Sequence, residues 1–182
     1  MPRLDPPNPD IYTDRQREVA AAITSGPRGG LRGPLAMWLH RPEFADRAQA
    51  FGQYCRYDSS LPAILSELAI LVTARCWGAE YEWFAHKRIA LEAGLNPDIA
   101  EAIRQRTRPA FDDEKQEIVH DFALALHGDK RVPQPLYDKA VALLGSDAVV
   151  DLVAVLGYYG FVSMTLNVFE VMPPDDVPRE MD

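Results

Sequence analysis

Apolar residues recur along most of the chain at the three- and four-residue spacing of amphipathic helices, and no segment alternates convincingly as a β-strand. This pattern predicts an all-α protein. No proline occurs between residues 63 and 96 or between 136 and 172, so long helices can form in both blocks. Gly78 and Gly94 are expected to end helices. The predicted helices span residues 13–25, 35–39, 42–54, 61–75, 79–93, 97–105, 112–126, 135–144 and 146–171.

Small polar residues mark where several of these helices should begin. Thr13 or Asp14 is expected to cap the first helix, and Asp112 the helix over 112–126. Ser146, directly after a helix-ending glycine, is expected to cap the last one.

An apolar stretch, residues 149–172, covers most of the last predicted helix and is long enough to span a bilayer. It also carries Asp151, Asn167 and Glu170, and charged groups are costly in lipid. A buried core helix or a subunit-interface helix is therefore predicted here, with no membrane contact.

Net charge, cysteines and the positions of prolines narrow the class of protein. The chain of 182 residues has a net charge of −8 from 19 basic and 27 acidic residues, which argues against a general nucleic-acid binder. The two cysteines, Cys55 and Cys76, form no close pair, and no signal peptide is evident at the N-terminus, so a cytoplasmic protein is expected. Prolines in the first ten residues predict an extended arm. We expect an N-terminal arm and helix (1–32), a main helical domain (33–173) and a C-terminal tail (174–182).

A glycine-rich segment, residues 25–34, connects the first predicted helix to the main domain. It lacks the Gly-Lys-Ser/Thr ending of a phosphate-binding P-loop and follows no strand. Nucleotide binding is therefore not expected there.

The candidate chemistry lies in the segment from residue 67 to residue 95. Glu82 and His86 are four residues apart and share one face of a helix. Glu67 lies in the preceding apolar helix, where a buried carboxylate needs a partner. Two antiparallel helices joined near Gly78 would bring the three together as a cluster suited to moving protons. A solvated Glu82–His86 pair is the alternative when the spacing is considered alone.

The same segment carries motifs of a known family. The sequence reads E-L-A-I-L at 67–71, Y-E-W-x-x-H at 81–86 and A-x-x-A-G-L at 90–95. In this order it resembles the carboxymuconolactone decarboxylase family of the alkylhydroperoxidase D-like superfamily. Weaker matches at 33–44 and 157–169 extend the resemblance over most of residues 33–173. The resemblance implies an alkylhydroperoxidase D-like helical bundle.

Within that superfamily, the peroxidase branch has a glutamate, a Cys-x-x-Cys pair and a histidine. By the resemblance these positions correspond to Glu67, to Ala79 and Glu82, and to His86, so this chain lacks both redox sulfurs. The decarboxylase branch also lacks the cysteine pair. That likeness implies a lyase, or an isomerase, acting on a small acid, with aromatic-derived acids and aromatic compound catabolism as the expected context. No cofactor and no metal is expected, and His86 would be the proton donor or shuttle, oriented by Glu82 or Glu67.

Two other functions stay open at this point. One is an alkylhydroperoxidase-like antioxidant enzyme using Cys76, although a dithiol cycle needs a second sulfur nearby. The other is a non-catalytic oligomeric protein that binds small molecules. His120 and His127 are not interpreted as a zinc site, because no third ligand accompanies them.

Further residues are predicted to contact a small-molecule substrate, with core or interface packing as the alternative for the residues of the two long helices and a surface role as the alternative for the histidine. They are Trp83, Tyr158, Tyr159, Asn167 and His40. The apolar last helix and the resemblance together predict a homo-oligomer, either a trimer, a hexamer or a dimer, with no nucleic acid or membrane as a partner.

Overall fold

The computed structural model describes residues 2–181, and within that range the chain forms nine α-helices and no β-strand. The predicted all-α fold is confirmed. A turn of 3₁₀-helix (Pro9–Ile11) precedes the first α-helix, and a turn of π-helix (Tyr54–Asp58) follows the third. The α-helices are α1 (Asp14–Ser25), α2 (Pro34–Trp38), α3 (Pro42–Gln53), α4 (Ala63–Trp77), α5 (Glu80–Glu92), α6 (Pro97–Arg104), α7 (Glu114–Gly128), α8 (Gln134–Leu144) and α9 (Ser146–Phe169).

Helix α4 lies at the centre and packs against α5, α7 and α9. Every residue from Leu65 to Ala74 is buried, as expected for a helix that is apolar on all sides. Glu67 belongs to this stretch, so the fold places its carboxylate in the core.

The turn between α4 and α5 positions the candidate site. Gly78 ends α4 in the left-handed conformation, with φ 60° and ψ 34°, which glycine adopts without a steric penalty. The amide of Ala79 then donates to the carbonyl of Ala74 at 2.9 Å. This C-cap lets α5 fold back along α4, as the predicted break at Gly78 required.

Some predicted boundaries are wrong. Asp113 rather than Asp112 caps α7, and its carboxylate accepts a hydrogen bond from the amide of Lys115 at 2.8 Å. Ser146 is the first residue of α9 rather than its cap, and Gly145 takes the N-cap position without a side-chain bond. The π-helical turn was not predicted, because it depends on a partner far away in the sequence.

That partner is Asp151, a buried carboxylate in α9. Its oxygens accept hydrogen bonds from the Tyr54 hydroxyl, and from the Ser60 amide at 2.7 Å and hydroxyl at 2.6 Å. Asp151 therefore fixes α9 to the π-helical turn.

Within residues 2–181, α9 alone is long and apolar enough to cross a membrane. However, 67% of its most apolar stretch is buried inside the protein.

Replacing Asp151 with alanine is expected to lower the free energy of unfolding by about 3 kcal/mol, because several hydrogen bonds to one carboxylate are lost. Urea denaturation followed by circular dichroism measures the loss. Asp175→Ala, in the exposed tail, is the matched control and should change stability by less than about 0.5 kcal/mol. A similarly small loss for Asp151→Ala would contradict this role.

Both predicted terminal segments contact the central helices, although their outermost residues, Met1 and Asp182, lie outside the described range. The amide of Arg3 donates to the carbonyl of Phe169 at 2.8 Å. Near the other end, the Glu180 carboxylate accepts from the Trp83 indole at 3.1 Å and from the Lys87 ammonium at 2.5 Å.

Candidate functional site

Glu67, Glu82 and His86 meet in one buried cluster. Nδ1 of His86 lies 2.6 Å from a carboxylate oxygen of Glu67, and Nε2 lies 3.0 Å from one of Glu82. The three residues are 3%, 3% and 4% exposed. The structure therefore brings together the three residues proposed from the sequence, and the solvated-pair alternative does not describe their geometry.

Two helices hold the imidazole from opposite sides. Glu82 and His86 lie one turn apart on α5, with Glu82 in its first turn, where the helix dipole favours a negative charge. Glu67 reaches the other ring nitrogen from α4. Because both nitrogens have a carboxylate partner, the ring is fixed in orientation and stabilised with both of its protons.

The charge of this cluster follows from two opposing effects on His86. Burial disfavours the charged ring, but the two adjacent carboxylates outweigh it and raise the pKa of His86 to about 9. The imidazolium form therefore predominates at neutral pH. A buried acid that is protonated at neutral pH and hydrogen-bonded to a carboxylate on each side is able to move a proton along that line.

A cavity of about 440 Å³ opens on one side of the cluster. Glu82 and His86 line its wall, whereas Glu67 lies behind the imidazole. This volume is within the range of small-molecule sites. Glu82 and the Nε2 side of His86 thus face any bound molecule, and Glu67 contacts only the far side of the ring.

Two tyrosines of α9 line the cavity next to the cluster. The Tyr159 ring meets the His86 ring edge-on, with centroids 5.0 Å apart, and its buried hydroxyl has no hydrogen-bond partner among residues 2–181. Burial raises the pKa of Tyr159 well above 10 and that of Tyr158 to about 12. Both hydroxyls are therefore neutral donors, and Tyr158 and Tyr159 lie where the sequence placed them.

The other predicted contact residues lie elsewhere. Trp83 is fully buried and donates to Glu180, because a shift of one residue from Glu82 turns a side chain by about 100° around the helix. Asn167 donates to the carbonyl of Trp77 at 2.7 Å, and exposed His40 bonds the carbonyl of Asp5 at 2.9 Å. None of the three lines the cavity, so the structure does not support their assignment to substrate binding.

Sequence reasoning missed the arginines of the cavity wall. They come from the glycine-rich segment, the π-helical turn and the exposed side of α5, and they are Arg28, Arg32, Arg56 and Arg88. The available signal was the pair of arginines in the glycine-rich segment, directly before the segment that resembles the family.

The cysteines are free, and neither lines this cavity. Burial raises the pKa of Cys55 to about 11 and also raises that of Cys76. Cys76 lines a second cavity of about 440 Å³ with His120 and His127. Neither thiol is thus poised as a thiolate next to His86.

Within residues 2–181, no group of three or more His, Cys, Asp or Glu side chains is placed to hold a metal ion.

Comparison with known families agrees with this architecture. The model of the carboxymuconolactone decarboxylase family matches residues 42–120, a range that contains all three residues of the cluster. The fold around them is that of alkylhydroperoxidase D-like cores. The chain is thus similar to the carboxymuconolactone decarboxylase family over residues 42–120 and shares the alkylhydroperoxidase D-like fold. Among curated proteins, none matches it by sequence.

Solved structures with the same fold align over nearly the whole chain. An alkylhydroperoxidase D core described as an uncharacterized peroxidase-related protein from Ralstonia eutropha JMP134 is 15% identical, with a TM-score of 0.77 over 96% of this chain and 93% of that one. A peroxidase-related protein from Silicibacter sp. TM1040 is 16% identical, with a TM-score of 0.78 and the same coverage.

A third similar structure is an enzyme with a bound ligand. The debrominase Bmp8, as a cysteine-to-alanine variant in complex with 2,3,4-tribromopyrrole, is 15% identical, with a TM-score of 0.72 over 91% of this chain and 88% of that one. At such low identities these comparisons establish the shared fold alone.

Proposed function

We propose that this protein is a cofactor-independent proton-transfer enzyme, a decarboxylase or isomerase that acts on a small acid, with aromatic-derived acids as the first candidates. One observation carries the proposal: both nitrogens of buried His86 are bonded to buried carboxylates, and one of these carboxylates, Glu82, faces a cavity. The arrangement supplies a positioned acid and an electrostatic environment that keeps it protonated.

In the decarboxylation, the bond between the substrate and its carboxylate breaks, carbon dioxide leaves, and the electron pair passes into a conjugated carbonyl as an enolate. A proton then forms the new bond to carbon. We assign a relay in which Nε2 of imidazolium His86 passes its proton to the Glu82 carboxylate, Glu82 passes it on to carbon, and solvent reprotonates His86. Glu67 acts on Nδ1 as a positioning residue. An isomerase would use the same groups to remove a proton from one carbon and return it to another.

The test uses solvent deuterium, because both reaction classes leave a solvent-derived hydrogen on carbon. Wild-type protein is incubated in deuterium oxide with a panel of small unsaturated and lactone carboxylic acids. Carbon dioxide release and deuterium in the product are followed by mass spectrometry. Incorporation with at least one acid is expected. Absence of incorporation across the panel, together with rapid peroxide consumption, would contradict the proposal and favour a peroxidase.

The double variant Cys55→Ala/Cys76→Ala is expected to keep the deuterium-incorporation activity within about twofold of wild type. Neither thiol lines the cavity, and burial raises the pKa of both, so neither supplies a reactive thiolate there. Initial rates of both proteins at matched concentration test this. Complete loss of activity in a folded double variant would restore the thiol-based alternative. The fold shared with peroxidase-related proteins is the reason for testing that alternative.

We also propose that the protein is a cytoplasmic homo-oligomer in which a second copy of the chain covers α9. Apolar side chains on one side of this helix are exposed at Val150, Val153, Met164 and Val168. The stripe is roughly 27 Å long at 1.5 Å per residue and carries no charge, so two copies can pack against each other about a two-fold axis.

Val153→Glu is expected to shift the protein to a smaller species in light scattering, because it places a charge in this uncharged stripe. Thr24→Glu, at an exposed position of α1, is the control and should leave the mass unchanged. A wild-type mass of 20.4 kDa at micromolar concentration would contradict the proposal of an oligomer.

A further inference from the structure

The glycine-rich segment, residues 25–34, reaches the cavity that holds Glu82 and His86. Arg28, Gly30 and Arg32 of this segment line its wall. The segment lies before the region that matches the family model, residues 42–120, and the proton relay makes no use of it. Its place beside the relay suggests a role in holding the substrate.

Arg28 is the member of the segment with the clearest unused binding capacity. Its Nε and Nη2 atoms are buried and make no hydrogen bond of good geometry among residues 2–181, although the guanidinium lies beside the Tyr158 hydroxyl and acts to lower its pKa against the larger effect of burial. Buried donors are nearly always paired, and an unpaired guanidinium is costly. If the flexible Arg28 side chain turns these two donors into the cavity, an oxyanion bound there satisfies both atoms, since guanidinium donors match the two oxygens of a carboxylate.

The packing around Arg28 places its guanidinium beside the Tyr158 hydroxyl. Both the Tyr158 hydroxyl and Nη2 of Arg28 lie so close to Gly52 that a Cβ atom there would collide with them. Glycine at this position on α3 therefore leaves the room in which the guanidinium and the hydroxyl lie side by side at the cavity wall.

The charge of the cavity favours an anion although the whole chain carries −8. Four arginines line the wall, and Glu82 is the single acidic residue among the lining residues. Two of the arginines have other contacts: Arg88 pairs with Glu92 at 2.7 Å, and the guanidinium of Arg56 lies 5.3 Å from the Tyr57 ring centroid. Arg28 has the unpartnered buried donors.

We propose that Arg28 binds the carboxylate of a small organic acid whose apolar body packs against the aromatic wall. Tyr81, Phe84 and Tyr159 supply that wall. At Arg28 a carboxylate, with its single negative charge, fits better than a doubly charged phosphate, because Glu82 in the same cavity opposes the extra charge. The role of Arg28 in the reaction rests on the proposed function. If the reaction is a decarboxylation, Arg28 holds a carboxylate that remains on the product. Tight binding of the departing carboxylate would instead oppose its release as neutral carbon dioxide.

Equilibrium binding with shape-matched probes tests the assignment apart from turnover. Benzoate and benzamide are titrated by calorimetry into wild type, Arg28→Gln and Arg28→Lys, with inorganic phosphate as a third probe. Arg17→Gln is the matched control, because this arginine is exposed on α1 and pairs with Asp14. Thermal unfolding verifies that each variant is folded.

Wild type and the control are expected to bind benzoate at least tenfold more tightly than benzamide, as charge-assisted hydrogen bonds imply. Arg28→Gln should lose this preference, and Arg28→Lys should keep part of it. Equal binding of the two probes by wild type, or an undiminished preference in Arg28→Gln, would overturn the assignment. Arg28-dependent binding of phosphate without binding of benzoate would overturn the carboxylate class.

The result is separable from that of the proposed function. An Arg28-dependent preference for benzoate without any deuterium incorporation would refute the proton relay and keep the carboxylate subsite. Deuterium incorporation without that preference would refute the role of Arg28 alone.

Discussion

Replacing His86 with glutamine is expected to slow deuterium incorporation by roughly 10²–10⁴-fold, the usual contribution of a positioned general acid. Glutamine fills a similar volume and can still bond a carboxylate, but its amide does not carry an exchangeable acidic proton between Glu67 and Glu82. The measured quantities are kcat and kcat/KM for the most active acid of the panel. Because the proton is needed in the transition state, both should fall together.

The control for this substitution is His40→Gln, which changes an exposed histidine outside the cavity and should leave the rate within about twofold of wild type. Near-ultraviolet circular dichroism shows whether His86→Gln keeps its tertiary packing. A folded His86→Gln variant that retains more than about a tenth of the wild-type rate would rule out His86 as the proton source.

The cluster of Glu67, Glu82 and His86 was predictable because the relations between these residues depend on local helix and turn geometry. Four-residue spacing places Glu82 and His86 on one face of α5, and the glycine at position 78 turns α5 back along α4 toward Glu67. These relations hold for any helical hairpin with this sequence. The family motif then indicates which of many such pairs is worth attention.

The remainder of the cavity depends on contacts between distant parts of the chain. Arg28 lies in a segment with no periodicity, so nothing in the sequence tells in which direction its side chain points. Trp83 illustrates the opposite error, since an aromatic residue next to Glu82 belongs to another face of α5 and reaches the C-terminal tail. The π-helical turn was missed for the same reason, because its partner Asp151 is 97 residues from Tyr54.

The second large effect concerns stability. In the folded protein the carboxylates raise the pKa of His86 to about 9 against the burial that would lower it, whereas an unfolded histidine has its ordinary value of 6.5. The folded state therefore holds this proton more tightly. The resulting stabilisation is complete below pH 6.5 and is lost as the pH rises through 9.

We expect the stability difference between wild type and His86→Gln to shrink by about 3 kcal/mol between pH 6 and pH 9.5, since one pKa unit corresponds to about 1.4 kcal/mol. Urea denaturation at half-unit pH steps measures it. Taking the difference removes titrations that the two proteins share. Those of His120 and His127 have the opposite sign, because burial lowers both pKa values.

Glu67→Gln tests whether the carboxylates cause this pH dependence. The Glu67 carboxylate is the largest single influence that raises the pKa of His86, so this pKa should be lower in the variant. The stabilisation by His86 should then disappear at a lower pH than in wild type and over a narrower pH range. Asp175→Asn, on the exposed tail, should leave the profile unchanged. If the difference between wild type and His86→Gln is constant from pH 6 to 9.5, His86 is not held as an imidazolium by its carboxylates, and the proton relay loses its electrostatic basis.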